Sequence, residues 1–459
     1  MWCKKLCLVL AMAMALALSS AVLAQPLPMN LNAEQELGRM LFMEKDLSIN
    51  KNQACASCHF PGAGFDEPDD TLPVSKGSVS NLFGGRNAPS AGYAAFSPFF
   101  RWDDADGLYV GGQFWDGRAN SLSEQAAGPL LNPVEMAMPD KWSVVDRLRT
   151  SSVNPSFPPP PAFPFKWSNY VDAFKEVYNL DLASVPAYDP AYDGSSPMPP
   201  GVLEVYDRIA KAIGELEKSR TFSRFTSKYD YYLAGMVKLT HQEQMGLKLF
   251  ETKAKCAQCH LNRPALAPDG NAMPPLFTDY TYDNLGLPIN PKVVELRSAA
   301  GLPVPTDYGL GGRPDIAARD PLTLPDGTIV STHQAGKHRV MTLRNIDITK
   351  PYGHNGLFET LEQIVHFYNT RDVLPACAGP LYNTDPDFGN ACWPAPEVDM
   401  NVNAGELGKL NLTPDQEGAV VAFLKTLTDG YVVVDPKTGM PRPSPWFPKY
   451  PPVTPVPMP

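Results

Sequence analysis

The sequence predicts a mainly α-helical fold with little β structure, in which two related domains are joined by long proline-rich loops. Three observations predict it. The string Cys55-Ala56-Ser57-Cys58-His59 returns as Cys256-Ala257-Gln258-Cys259-His260. Each copy follows a short helical pattern, Leu37-Gly38-Arg39-Met40-Leu41-Phe42 in one case and Met245-Gly246-Leu247-Lys248-Leu249-Phe250 in the other. The chain's 49 prolines cluster between such patterns, notably over Pro155 to Pro164 and Tyr188 to Pro200, where extended surface connections form more readily than core.

In Cys-x-x-Cys-His, two thiols one helical turn apart form thioethers to the vinyl groups of a haem, and the adjacent imidazole binds the iron. Cys55, Cys58 and His59 would hold one covalent haem c, and Cys256, Cys259 and His260 a second. Thiols at this spacing also suit a redox disulfide or half of a zinc site. Two complete copies favour haem.

The chain has 459 residues, enough for a large core and for two haem domains. It starts with Lys4 and Lys5, an apolar run from Leu6 to about Val22 and small residues before Gln25, so residues 1–24 read as a signal peptide. No later stretch is long and apolar enough to span a membrane, which predicts no integral membrane segment in the mature chain. Removing the leader takes Cys3 and Cys7 with it. Beyond the haem strings only Cys377 and Cys392 remain, and export predicts that they are bonded and staple a loop with little core of its own. An exported, periplasmic location follows, with surface association compatible. The formal charge is -10, and no basic cluster suggests nucleic acid. This charge is compatible with a basic protein partner.

Taken in order, residues 25–31 read as an extended lead-in, and Asn32 with Gln35 opens the helix before the first string. Gly201-Val202-Leu203 opens another helix that runs through Ala212 and Leu216. The domain boundary is set near residue 220, giving an N-terminal haem domain over 25–219, a C-terminal one over 220–435 and a proline-rich tail over 436–459, expected to pack as an extended strap or to stay mobile. Thr240 and Glu243 open the helix before the second string. Asn262 to Thr332 reads as a long irregular region. Thr413 caps a last helix with Pro414 first and Gln416 third, filled by Val420, Val421, Phe423, Leu424 and Leu427 and stopped by Gly430. The repeat extends further: Arg86-Asn87 answers Arg344-Asn345, and Asp116-Gly117 through Glu124-Gln125 answers Asn355-Gly356 through Glu362-Gln363.

Seven histidines are present, and none falls between His59 and His241. The first haem thus lacks a local second imidazole, which leaves an iron position open to peroxide unless Met136 or Met138 folds over it.

These residues carry a resemblance. Arg86-Asn87-Ala88-Pro89-Ser90, Phe114-Trp115-Asp116-Gly117-Arg118-Ala119, Gln125 to Met136, Thr342-Leu343-Arg344-Asn345 and Pro351-Tyr352-Gly353-His354-Asn355-Gly356 resemble, in order, the bacterial di-haem cytochrome c peroxidase family, and more closely its MauG-type branch. The similarity covers most of residues 30–430. It implies two cytochrome c-like haem domains related by duplication. It also implies that Glu135 is the distal acid-base group of the first haem, with Gln125 and Pro129 lining the same pocket, and that Trp115 couples the haems. Peroxidase members use methionine as sixth ligand of the second haem; here the matching position is Tyr368, as in the MauG-type branch, with His366 as a rival. A phenolate favours ferric and higher-valent iron. The resemblance further implies one calcium ion, held by the Asn87 side chain and the carbonyls of Thr349 and Pro351.

The function so implied is a peroxide-dependent oxidoreductase that stores a high-valent iron state and oxidises a side chain, a tryptophan, on a partner protein, as in the methanobactin-associated group. The alternative is a di-haem cytochrome c peroxidase that reduces hydrogen peroxide with electrons from a small cytochrome. A non-catalytic di-haem electron carrier is the third reading. Trp102, Trp142, Trp167, Trp393 and Trp446 are candidate relays to a protein substrate.

Overall fold

The computed structural model describes residues 31–152, 165–266, 272–444 and 446. The leader at 1–24, the stretch Pro155 to Pro164, residues 25–30 of the lead-in and the end of the tail lie outside them.

The first helix, α1 (Ala33–Phe42), starts where Asn32 accepts a hydrogen bond from the Gln35 amide while the Gln35 side chain accepts one from the Asn32 amide. That reciprocal cap satisfies donors the first helical turn leaves orphaned. It buries Leu37, Met40, Leu41 and Phe42. Besides the single turn at Cys55–Cys58, four longer helices follow among the described residues of the first half: α2 (Leu122–Leu131), α3 (Lys141–Thr150), α4 (Tyr170–Tyr178) and α5 (Val202–Glu217). The long α5 is the pillar against which α1, α2 and α3 pack. Its stripe of Val202, Val205, Tyr206, Ile209, Ile213 and Leu216 recurs at helical spacing, and every member is buried.

The second half contains α6 (Lys228–Leu233), α7 (His241–Glu251), α8 (Pro291–Ala299), α9 (Leu361–Thr370) and α10 (Pro414–Lys425). Thr240 with Glu243 and Thr413 with Gln416 form the same reciprocal cap as Asn32 with Gln35. Here α7 packs against α10, as α1 packs against α5. The two crossings share one device. A Cβ at Gly38 would collide with the Ala212 carbonyl, and a Cβ at Gly246 with the Ala419 carbonyl, so only glycine lets each helix pair approach this closely. One apolar cluster runs from Leu37 to Phe222 and another from Tyr229 to Leu427, with Tyr93, Phe225, Met273 and Leu276 forming a small group of their own.

Strand is sparse: among the described residues it amounts to four two-stranded antiparallel ribbons, the longest pairing Arg101–Asp103 with Leu108–Val110 and Pro321–Thr323 with Ile329–Ser331. The region from Asn262 to Thr332 is less irregular than its composition predicts, because Asn290 caps α8 and that second ribbon closes within it. The last helix stops earlier than expected. It ends at Lys425, since the Thr426 hydroxyl turns back to the Phe423 carbonyl and Asp429 is drawn to Asn345. Leu427 is still buried, but beyond the helix, and Gly430 takes a positive φ in the following turn. The described part of the tail is strapped down by Ser444, which donates to Phe225 O, and by the Trp446 indole, which donates to Asp230 O. Cys377 and Cys392 are bonded as expected.

The sequence-repeated Arg344 is completely buried and forks onto Asp230 through two 3.0 Å hydrogen bonds, while its Nε donates to Pro275 O. Deleting one partner of such a pair strands a charge out of water. Asp230→Ala should therefore destabilise the fold by about 3–5 kcal/mol, read as a fall in the denaturant midpoint. An unchanged midpoint would refute this role for the pair.

Candidate active site: two cavities that share Trp115

Cys55 to Cys58 form a single helical turn, and His59 follows as its C-cap. The geometry places both thiols and the imidazole in the wall of one cavity. His59 Nδ1 lies 3.2 Å from the Phe65 carbonyl, which can only accept, so this nitrogen carries the proton and Nε2 is left as the ligand atom. His260 repeats the arrangement with Phe277 O at 3.0 Å. Burial lowers the pKa of both histidines, which keeps them in the neutral, ligating form. All four string cysteines are unpaired, so neither string forms the alternative disulfide. Burial pushes the Cys55, Cys58 and Cys256 thiols up to about 12, so all three are protonated at neutral pH.

Glu135, Gln125 and Pro129 line the cavity of the first string. Gln125 and Pro129 stand one turn apart on α2. Glu135 sits in the loop that follows, where Asn132 Nδ2 donates to its Oε1 at 2.8 Å. Desolvation raises its pKa, against the pull of Arg118 and Asn132. Among the described residues, no second histidine lines this cavity. Met136 does reach its wall, whereas Met138 packs into the apolar cluster.

The second cavity gathers Cys256, Cys259, His260 and Tyr368. Leu361, Ile364, Val365 and Tyr368 line it from one face of α9, as their spacing of three and four residues requires. His366 lies two residues from Tyr368 and so faces elsewhere. Its Nδ1 meets the Glu417 carboxylate at 2.9 Å and its Nε2 meets Gly389 O at 2.9 Å, so both nitrogens are engaged away from the cavity. This removes His366 as the rival to Tyr368. Burial holds the Tyr368 phenol well above its ordinary pKa. Its ionisation therefore calls for a cation opposite.

Trp115 lines both cavities, as do Asn87 and Arg339. Its indole donates to Asn87 O at 2.8 Å, which fixes the ring. Asn87, Thr349 and Pro351 lie together in the wall of the second cavity. Asn87 commits its Nδ2 to Pro73 O, which leaves its Oδ1 as an available hard donor, and the set fits calcium chemistry. Of the candidate relay tryptophans, Trp142, Trp167 and Trp393 are buried, while Trp102 is 40% exposed on its ribbon.

One cavity residue escaped the sequence reading. Glu217 lines the first cavity and is 4% exposed, and burial raises its pKa to about 8. The signal was a carboxylate set four residues beyond Ile213, inside the apolar stripe of α5. The folded pKa exceeds the unfolded one, so the folded state binds more protons between them and stability falls as pH rises from about 4.5 toward 8. Glu217→Gln should flatten this slope, seen by comparing thermal midpoints at pH 5 and pH 8. A slope unchanged by the substitution would assign it to other groups.

A family model described as di-haem cytochrome c peroxidase matches residues 32–238. The chain is 37% identical to the methylamine utilization protein MauG of Paracoccus denitrificans, over 86% of this chain and 88% of that one. Among solved structures it is similar to the diheme peroxidase BthA from Burkholderia thailandensis, with a TM-score of 0.63 and 28% identity over 92% of this chain and 91% of that one. It is also similar to a MauG-like protein associated with microbial copper homeostasis, with a TM-score of 0.56 and 26% identity over 88% and 91% of the two chains. No helix among the described residues is long and apolar enough to cross a membrane. Enzymes share this pattern and a passive carrier does not explain it, so the third reading of the sequence is set aside. With two haem-binding strings each opening on its own cavity, the chain belongs to the di-haem cytochrome c peroxidase family, as a peroxide-dependent oxidoreductase with two covalent haems c.

Proposed function

We propose that this enzyme uses hydrogen peroxide to oxidise a tryptophan side chain of a partner protein. The observation that supports this most is Tyr368 in the wall of the second cavity, with His366 tied up elsewhere. A phenolate donor favours retention of oxidising equivalents over rapid acceptance of electrons from a cytochrome. The named likeness to MauG and to a MauG-like protein of copper homeostasis is compatible with a protein substrate.

Bound haem supplies peroxide activation and electron storage. In the first cavity, Glu135 takes the proton from the incoming peroxide oxygen and returns it to the departing one, held in place by Asn132. Gln125 and Pro129 shape the space in which peroxide sits. Trp115, common to both walls, carries electrons between the cavities. Asn87, Thr349 and Pro351 would hold one calcium ion, whose charge would tie these segments together. Residues 25–219 and 220–435 are read as haem domains related by duplication, a reading supported by the matched caps and by the paired glycine crossings at Gly38 and Gly246. Export to the periplasm accords with the Cys377–Cys392 disulfide.

The test is steady-state peroxide consumption by the holoenzyme with a reduced small cytochrome c as donor. Slow turnover, with both haems promptly oxidised by peroxide, is the expected result. Rapid turnover would overturn the proposal in favour of a cytochrome-fed peroxidase.

A further inference from the structure

Among the described residues, Trp102 is the one exposed tryptophan, with 40% of its surface open to water. It stands on the ribbon that pairs Arg101–Asp103 with Leu108–Val110, directly opposite Tyr109. Residues opposite each other in a ribbon share a face, and the indole meets the Tyr109 ring edge-on with centroids 4.8 Å apart.

Behind Tyr109 a row of rings leads inward. Tyr109 stacks on Phe100 at 5.3 Å with planes 4° apart, and Phe100 meets Tyr282 edge-on at 5.9 Å. All three separations lie in the contact range of packed aromatic pairs. Tyr282 is buried and touches the loop that carries Trp115: its hydroxyl donates to Gly111 O, and a Cβ on Gly117 would strike that hydroxyl. Tyr282 also pairs in register with Arg339, whose amide donates to Trp115 O at 2.8 Å. The next residue, Asp283, lines the second cavity. The row therefore joins the Trp115 loop and the second cavity to the surface.

Charge is graded along it. The Arg313 guanidinium lies 4.2 Å from the centre of the Phe100 ring, and that of Arg319 lies 5.6 Å from the centre of Tyr109. These cations oppose removal of an electron from the inner rings. Trp102 has the opposite surroundings. Asp103, Asp104 and Asp106 follow it at the end of the ribbon, against Arg101, which pairs with Asp103 at 3.0 Å. This excess of carboxylate stabilises a positive charge on the indole. The Tyr282 hydroxyl faces a peptide carbonyl, a poor base, so that ring has no group to receive its proton and serves as a bridge.

We propose that Trp102 is the port at which a partner protein gives up electrons, reached through Tyr109, Phe100 and Tyr282, and that the partner presents a basic segment to the carboxylates around it. The occupant of the port rests on the oxidation of a partner protein proposed above. In each pass one electron leaves Trp102 inward, and the indole becomes a radical cation that keeps its N–H proton. An oxidisable side chain of the partner then returns one electron to it. Two passes leave the partner oxidised by two electrons, which with two protons from solvent reduce one hydrogen peroxide to two waters. Steering of a basic segment suits the ribbon end and the net charge of -10.

The test treats the holoenzyme with hydrogen peroxide and a nitroso spin trap, with no partner present, and maps the adduct by peptide mass spectrometry. An adduct on Trp102 is expected. Trp102→Phe, which keeps a ring against Tyr109, should lose it, and Phe100→Leu, which breaks the row, should lose most of it. Haem oxidation by peroxide should keep its native rate in both, a result that a misfolded variant would not give. Adducts only at other residues would overturn the port, and an undiminished Trp102 adduct in Phe100→Leu would overturn the route. The occupant is tested with two synthetic peptides, one tryptophan flanked by lysines and one flanked by glutamates. The lysine peptide should suppress the adduct at an about 10-fold lower concentration at low salt, and its advantage should fade as salt rises. Equal suppression by both peptides, or by neither, would overturn the basic partner. Rapid turnover with cytochrome c would defeat the proposed tryptophan substrate, whereas the adduct on Trp102 decides the port independently.

Discussion

Glu135→Gln should slow peroxide-driven oxidation of the haems by about 10²–10⁴-fold, the usual scale for loss of a positioned acid-base group, while both haems stay attached. The amide keeps the hydrogen-bonding shape but cannot shuttle a proton. The cavity offers few substitutes: among the described residues no second histidine lines it, Asp116 is held in ion pairs with Arg86 and Arg118, and Glu217 stands near the Cys55 thiol. The pH dependence gives a second readout. Desolvation raises the Glu135 pKa above its ordinary 4.5, and below that raised value the carboxyl is protonated and cannot accept the first proton from peroxide. The rate should therefore climb with pH along an acid limb displaced upward from that of an exposed glutamate. Stopped-flow measurements should find that limb in the native enzyme and not in the glutamine variant. An undiminished rate would transfer the role to another group, with Glu217 the first to examine.

Tyr368→Met should move the reduction potential of the second haem upward by a sizeable part of the roughly 0.8 V that axial ligands span. A thioether stabilises ferrous iron where a phenolate stabilises ferric. Tyr368→Phe should leave the packing of α9 nearly intact and change the ferric optical and EPR signals through loss of the donor oxygen alone. His366 cannot step in, because Glu417 and Gly389 hold both its nitrogens on another side of the helix. Spectra that match the native protein in the phenylalanine variant would remove Tyr368 as a ligand. The methionine variant also bears on function: faster cytochrome-fed turnover there would link the tyrosine to the slow, storing behaviour proposed for the native enzyme.

Much of the fold was legible because its signals are local. A cap such as Asn32 with Gln35, or Thr413 with Pro414 and Gln416, involves residues within one turn, and each opens a helix where its spacing indicates. The end of α10 was misjudged for the opposite reason. Its stop is set by Asp429 bonding to Asn345, more than eighty residues away along the chain, and no feature near Gly430 reveals that. The order hidden in the region from Asn262 to Thr332 was missed because proline-rich composition hides a helix cap as short as Asn290.

The sequence by itself determined that two thiol-pair strings with their histidines lie on separate halves of the chain, that helices dominate, and that Glu135, Trp115 and Tyr368 stand in motifs of one family. These are properties of spacing, and spacing survives without coordinates. Only the tertiary structure decided which residues share a wall. It placed Trp115 and Asn87 in both cavities, turned His366 away from Tyr368, set Glu217 beside Cys55, and lined up Tyr109, Phe100 and Tyr282 behind Trp102. Side chains separated by tens to hundreds of residues meet through helix crossings and loop closure, and the packing that brings them together leaves no periodic trace in the chain.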